Sequence, residues 1–183
     1  MIYPSTYLKQ RLLQNTSLSE EAGVPFDGTS GFYSKVFPTD YSKRKLSAWA
    51  NKLRPLDARL YEDDKFHCTV IWSKVIPKSV GSTLVPAAKG TFVAKLDHFE
   101  YWDGHDKDGY VVAVLQSPDL KGLHENWKSH GAVHSFSQYE PHVTLFDKFI
   151  PTPYLHRQLR MLSQKEKGSI LSFNNETLEN LKP

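Results

Sequence analysis

Two short segments constrain this chain more than anything else in it. His67-Cys68-Thr69-Val70 and His142-Val143-Thr144-Leu145 lie about seventy-five positions apart and share the form His-x-Thr-aliphatic. Each falls in a run of strand composition, FHCTVIW from Phe66 to Trp72 and HVTLFDKF from His142 to Phe149. Each is also preceded by a strand and then a helix. Before the first come GFYSKVF from Gly31 and, after Pro38, a helix with Leu46, Trp49, Ala50 and Leu53 on one face, capped by Thr39 or Asp40. Before the second come YVVAVLQ and a helix opened by Pro118, carrying Leu120, Leu123 and Trp127 and ended by Gly131. A strand-helix-strand unit thus occurs twice, and packing the two units together sets the two patterns near a pseudo-twofold axis.

The rest of the chain fills in around this repeat. GTFVAKLDHFEYW, from Gly90 to Trp102, reads as a strand that turns through the polar segment 104–109 into YVVAVLQ. A helix is expected from about Pro153 to Leu162, followed by SILSF and ETLENL as edge strands. Residues 1–28, with Leu8, Leu12 and Leu13 at helical spacing and then a Ser/Glu stretch, read as an N-terminal extension of short helix and linker. Residues 29–183 form the domain proper.

Side chains two apart in a strand share a face. His67 and Thr69 therefore point one way, as do His142 and Thr144, while Cys68, Val70, Trp72, Val143 and Leu145 give the apolar reverse that packs under helices. Trp72 and Trp127 are both read as core. A strand face carrying an imidazole beside a hydroxyl belongs in a cleft. Two imidazoles, one neutral and one protonated, can take a proton from a nucleophile and give one to a leaving oxygen near neutral pH. Two threonine hydroxyls can donate to the non-bridging oxygens of a phosphate as charge builds there.

Composition fits that chemistry and excludes others. The chain has 183 residues, 39% hydrophobic and 23% charged, enough for one well-covered core. Its net charge of +3 suits an anionic ligand but lacks the basic stripe that long nucleic acid requires. The single cysteine, Cys68, lies in an apolar run and reads as a small core residue in a reducing compartment. With no secretory leader and no long apolar stretch, the expectation is a soluble, cytoplasmic protein with no membrane partner. No metal or other cofactor is expected. Zinc calls for a closer-set ligand cluster than the two histidine motifs provide, His98, His105 and Asp106 read as a polar hairpin, and Asp63-Asp64 as a solvated turn.

The two His-x-Thr motifs in a strand-helix-strand repeat resemble the two-histidine phosphoesterase superfamily. Within it, HCTV, PHVTL, the aromatic first strand GFYSKVF and the aromatic segment HFEYW make the chain most similar to the phage anti-CBASS enzymes, over roughly residues 30–175. The resemblance implies an α+β, two-lobed, pseudo-symmetric fold with antiparallel sheets lining a central cleft and helices outside. It implies a metal-independent phosphodiesterase that cuts the 3′–5′ linkage of cyclic di- or trinucleotide immune signals inside the infected bacterium. His67, Thr69, His142 and Thr144 match the catalytic motifs directly, and the ribose 2′-hydroxyl is the expected nucleophile. Tyr33 and Trp102 match base-contacting aromatics by their position in the pattern, and Glu140 offers a carboxylate to a base edge.

Two rival readings are separable. A phosphodiesterase of RNA ends or linear 2′,3′-cyclic phosphates calls for a longer basic groove than Lys43-Arg44-Lys45 supplies. A non-catalytic nucleotide sponge has no need of a paired acid and base.

Overall fold

The computed structural model describes residues 24–25, 31–55, 59–60, 65–74, 83–84, 90–103, 109–134, 138–149 and 151–181. The helix expected near the amino terminus lies outside these residues, as does the turn at 104–108. Nine strands are described: β1 (Val24–Pro25), β2 (Phe32–Pro38), β3 (Arg59–Leu60), β4 (Cys68–Ser73), β5 (Thr83–Leu84), β6 (Thr91–Trp102), β7 (Gly109–Gln116), β8 (His142–Phe149) and β9 (Ile170–Asn180). Three helices join them: α1 (Asp40–Leu53), α2 (Pro118–Ser129) and α3 (Pro153–Glu166).

The helices start where capping chemistry starts them. Thr39, Ser117 and Thr152 each accept from a backbone N–H of the first turn, and proline opens α2 and α3 where its missing N–H costs nothing. Leu46, Trp49, Ala50 and Leu53 make the buried stripe of α1, and Leu120, Leu123 and Trp127 that of α2. Trp127 is core, as its sequence position implies. Its Nε1–H and the Ser34 hydroxyl both donate to the buried Glu176 carboxylate, tying α2, β2 and β9 together.

Apart from the short β1–β5 pair, the strands form a sheet in the order β3-β8-β4-β2-β9-β6-β7, with β7 pairing back onto β8. All pairings are antiparallel. The expected two sheets are therefore one hydrogen-bonded circuit, in which β2 and β4 of the first half meet β7 and β8 of the second along β4–β8. A second difference concerns the carboxyl end. The segments read as two edge strands are one strand, β9, and it lies between β2 and β6. A break is read there because Asn174-Asn175 disfavours strand. The chain accommodates it by placing Asn175 at φ 28° and shifting register opposite Val36 and Phe37, without ending the ladder.

Alternation along β2 sets up the site. Phe32, Ser34 and Val36 are fully buried on one face, and Tyr33, Lys35 and Phe37 are half-buried on the other. Gly31 admits this strand beside β4: a Cβ there would stand 1.8 Å from the Ser73 carbonyl oxygen.

Candidate active site

β4 and β8 run antiparallel with Cys68 opposite Val143. Carrying that register one residue either way sets His67 opposite Thr144 and Thr69 opposite His142. Cys68, Val143, Val70 and Leu145 are fully buried, whereas the two histidines and two threonines are half-buried on the reverse face. Burial pushes the Cys68 thiol up to about 12, so it is an inert core group. Directly opposed side chains on adjacent strands stand roughly 4.5–5.5 Å apart at Cβ. Two imidazoles and two hydroxyls are thus brought to one face at the β4–β8 seam.

Both rings are oriented by the same local device. His67 Nδ1–H donates to the Lys65 carbonyl at 2.8 Å, and His142 Nδ1–H donates to the Glu140 carbonyl at 2.7 Å. A carbonyl only accepts, so in each neutral ring the proton sits on Nδ1 and Nε2 is left free for proton transfer. Buried Phe66 anchors the approach to His67, and the Leu115 N–H donates to the Pro141 carbonyl at 2.8 Å just ahead of His142.

Both imidazoles are held below the ordinary histidine value of 6.5, chiefly by burial. Their secondary influences differ. At His67 the Lys35 ammonium depresses basicity further, against the Lys65 carbonyl and a weaker opposing effect of Glu179. At His142 the Glu140 carbonyl raises it, as does the Glu140 carboxylate, while the charge of His67 lowers it. The charge of His67 thus reaches His142.

Tyr33 and Trp102, singled out in the sequence for nucleobases, both stand against these rings. Tyr33 meets His67 edge to face, with centroids 5.9 Å apart at 88°, and its hydroxyl hydrogen-bonds Thr69 Oγ1 at 3.0 Å. Trp102 packs on His142 at 4.5 Å and 64°, its Nε1–H donating to Glu100 at 2.7 Å. Glu140 has an exposed side chain and reaches the site mainly through its carbonyl.

One sequence assignment is overturned. Trp72 is half-buried and paired with Tyr33 on the cleft side of β4. The ladder shows why: Ser34 pairs with Ile71 but Lys35 with Thr69, so Val70 is an extra residue in a β-bulge and every side chain beyond it changes face. Three further neighbours went unread in the sequence. Lys35 and Phe37 follow from Tyr33 by the same two-residue alternation that pairs His67 with Thr69. Glu179 faces Tyr33 only through the pairing of β9 with β2, which no local signal reveals.

Behind the site, Tyr139 stacks on buried His124 at 4.1 Å and 7°, and its hydroxyl donates to the Thr69 carbonyl at 2.8 Å. His124 Nδ1–H donates to the Val70 carbonyl at 2.8 Å. The segment leading into the second motif therefore clamps the backbone of the first. Among the described residues, no group of three or more His, Cys, Asp or Glu side chains is gathered as a metal ion would need, and no helix is long and apolar enough to cross a membrane.

Residues 30–183 match the family model described as anti-CBASS protein Acb1. The chain belongs to the anti-CBASS Acb1 family. It is 32% identical over 140 residues to the anti-CBASS protein Acb1 of Vibrio phage KVP40, a match covering 74% of this chain and 85% of that protein. With Acb1 of Enterobacteria phage T4 it shares 35% identity over 83 residues, which is 45% of this chain and 50% of the relative. Among solved structures, Escherichia coli LigT complexed with NADP+ aligns with a TM-score of 0.52 at 16% identity, covering 84% of this chain and 89% of that one. A crystal structure described as a phosphoesterase aligns at 0.50 and 15% identity, covering 85% and 90%. At such identities the likeness is one of fold. The α+β two-histidine phosphoesterase architecture is thereby established.

Proposed function

We propose that residues 29–183 form a metal-independent phosphodiesterase that cuts the 3′–5′ linkage of cyclic di- or trinucleotide immune signals within the infected host cell. The observation that carries this reading is the pairing of β4 with β8, which brings His67, Thr69, His142 and Thr144 to one face with both rings tethered through Nδ1. One ring serves as the neutral base, here His67, and the other, here His142, as the acid.

The steps then balance. His67 Nε2 accepts the proton of the ribose 2′-hydroxyl, and the 2′-oxygen bonds to phosphorus. The bond from phosphorus to the 5′-oxygen breaks, and that oxygen takes the proton of His142 Nε2. Thr69 and Thr144 donate to the non-bridging oxygens as charge accumulates. The product is a 2′,3′-cyclic phosphate on an opened ring. With the two histidines in exchanged roles, water can then open it to a phosphomonoester. Tyr33 and Trp102 present flat surfaces for the bases on either side of the reacting phosphate.

The test uses purified protein with cyclic di- and trinucleotides in excess chelator, products being identified by mass. Turnover beyond one equivalent is expected, and binding without turnover would instead favour the sponge. A cyclic dinucleotide with 2′-deoxyribose on the attacked side should bind and resist cleavage, because the tethered nucleophile is worth an effective molarity that reaches on the order of 10⁵ M. Ready cleavage of the deoxy compound would remove the ribose from the mechanism.

A further inference from the structure

Lys35 is a charged group on the cleft face that itself transfers no proton in the two-histidine chemistry. It stands on β2 opposite Thr69 of β4 and Thr177 of β9, between Tyr33 and Phe37 on the same face. Its side chain is only 14% exposed, and its ammonium lies 5.4 Å from the Tyr33 ring centre and 5.3 Å from that of Phe37. Its ion-pair partner is different in kind. Glu179, 2.6 Å away, is 56% exposed. The cation is thus held in place while its carboxylate partner is open to exchange.

A cyclic oligonucleotide supplies one. Every linkage carries a phosphate, and when one of them sits among His67, Thr69, His142 and Thr144, at least one more must be accommodated by the same cleft. Lys35 is one strand away from Thr69, about 4.8 Å in the hydrogen-bonding direction. Its charge is already felt at His67. We infer that Lys35 is the seat of a second, uncleaved phosphate of the ring, and that this phosphate replaces the Glu179 carboxylate as its partner. The exchange is cheap on geometric grounds: Tyr33 and Phe37 hold the lysine in place, whereas the glutamate can swing into water. The inference rests on the function proposed above and adds the group that distinguishes a cyclic substrate from one with a single phosphate.

The pair makes opposite predictions for its two members. Cyclic di-adenylate is compared with the linear dinucleotide adenylyl-(3′–5′)-adenosine, which has the same bases and one phosphate, each variant being assayed at its own pH optimum. Lys35→Met should raise KM for the cyclic compound on the order of 10–100-fold, the worth of a charge-assisted hydrogen bond, and leave KM for the linear one within about threefold. Glu179→Gln should lower KM for the cyclic compound, since a competing anion is removed. Lys35→Arg should remain near wild type. Equal losses on both substrates, or a weakening by Glu179→Gln in step with Lys35→Met, would make the pair structural and overturn the inference. Should Lys35→Met not fold, Glu179→Gln decides alone: a lower KM for the cyclic compound with KM for the linear one unchanged supports the inference, and an unchanged or raised KM for the cyclic compound overturns it. Wild-type protein that neither binds nor cleaves the cyclic compound would remove the proposed function and this inference together. Wild-type turnover with indiscriminate variants would remove the inference alone.

Discussion

Tyr33 has two separable duties, and removing them one at a time tests the site in detail. Tyr33→Phe deletes only the hydroxyl that meets Thr69 Oγ1 at 3.0 Å and keeps the ring set edge-on against His67. A neutral hydrogen bond of this kind is worth about 0.5–1.5 kcal/mol net. If it aims the Thr69 hydroxyl at the reacting phosphate, kcat should fall roughly 2–12-fold with KM little changed. Tyr33→Ala removes the flat surface as well. Stacking of a base on an aromatic is worth about 1–3 kcal/mol, so affinity should fall a further roughly 5–150-fold, and that loss should appear in KM. Thermal melting provides the control. Tyr33 is half-buried while its neighbour Phe32 is fully buried, so Phe32→Ala should cost about 3–5 kcal/mol of stability and Tyr33→Ala clearly less. The reasoning fails if Tyr33→Ala melts as early as Phe32→Ala while its remaining folded fraction keeps wild-type kinetics, for then the ring is core and nothing more. Tyr33→Phe with an unaltered kcat would separately remove the orientation of Thr69 from the account.

The histidines and the pH dependence give two further expectations. His67→Ala and His142→Ala should each lower kcat by a factor on the order of 10²–10⁴ with binding of the cyclic substrate retained; near-full rates in both, read by single-turnover assay, would end the two-histidine assignment. Because burial holds both rings below 6.5, the bell-shaped profile of kcat/KM, centred between the two macroscopic values of the pair, should peak below pH 6.5. Stability follows the same sign: His67, His142, His124 and His134 all have lowered values, so the unfolded chain binds more protons and folding free energy is lost as pH drops below about 6.5. A kcat/KM optimum above pH 7.5, or a melting temperature unchanged between pH 7 and pH 5, would contradict the burial on which both statements depend.

What could be read from the sequence, and what could not, divides along the range of the forces involved. The placement of His67 with Thr69 and of His142 with Thr144 follows from strand geometry alone, and the cap at Thr39 and the helix starts at Pro118 and Pro153 follow from helix-terminus preferences. Those are local rules. Trp72 escaped them because the extra residue at Val70 inverts the alternation, and a bulge is set by the partner strand. Glu179 escaped because β9 finds β2 from the far end of the chain, and the continuity of β9 through Asn175 is enforced by its two neighbours against the preference of the sequence there. Lys35 and Phe37 were within reach of the alternation rule and needed only its extension from the histidine strands to β2.

The circuit of strands explains why such short motifs suffice. β8 is registered along β7 from Gly109 opposite Phe149 to Val114 opposite His142, and β4 is registered along β2 from Ser73 to Cys68. Between β4 and β8 the ladder holds Cys68 with Val143 alone. Each histidine is thus built within its own half of the repeat, oriented by a carbonyl two residues before it, and the halves then meet at a narrow seam. At that seam the two patterns face one another across a pseudo-twofold relation, so each threonine is delivered opposite the other half's histidine. Tyr139 closes the arrangement from behind, since it belongs to the approach to His142 yet holds the Thr69 carbonyl. Two imidazoles made in separate units are in this way brought together, as the proposed transfer of two protons at one phosphate requires.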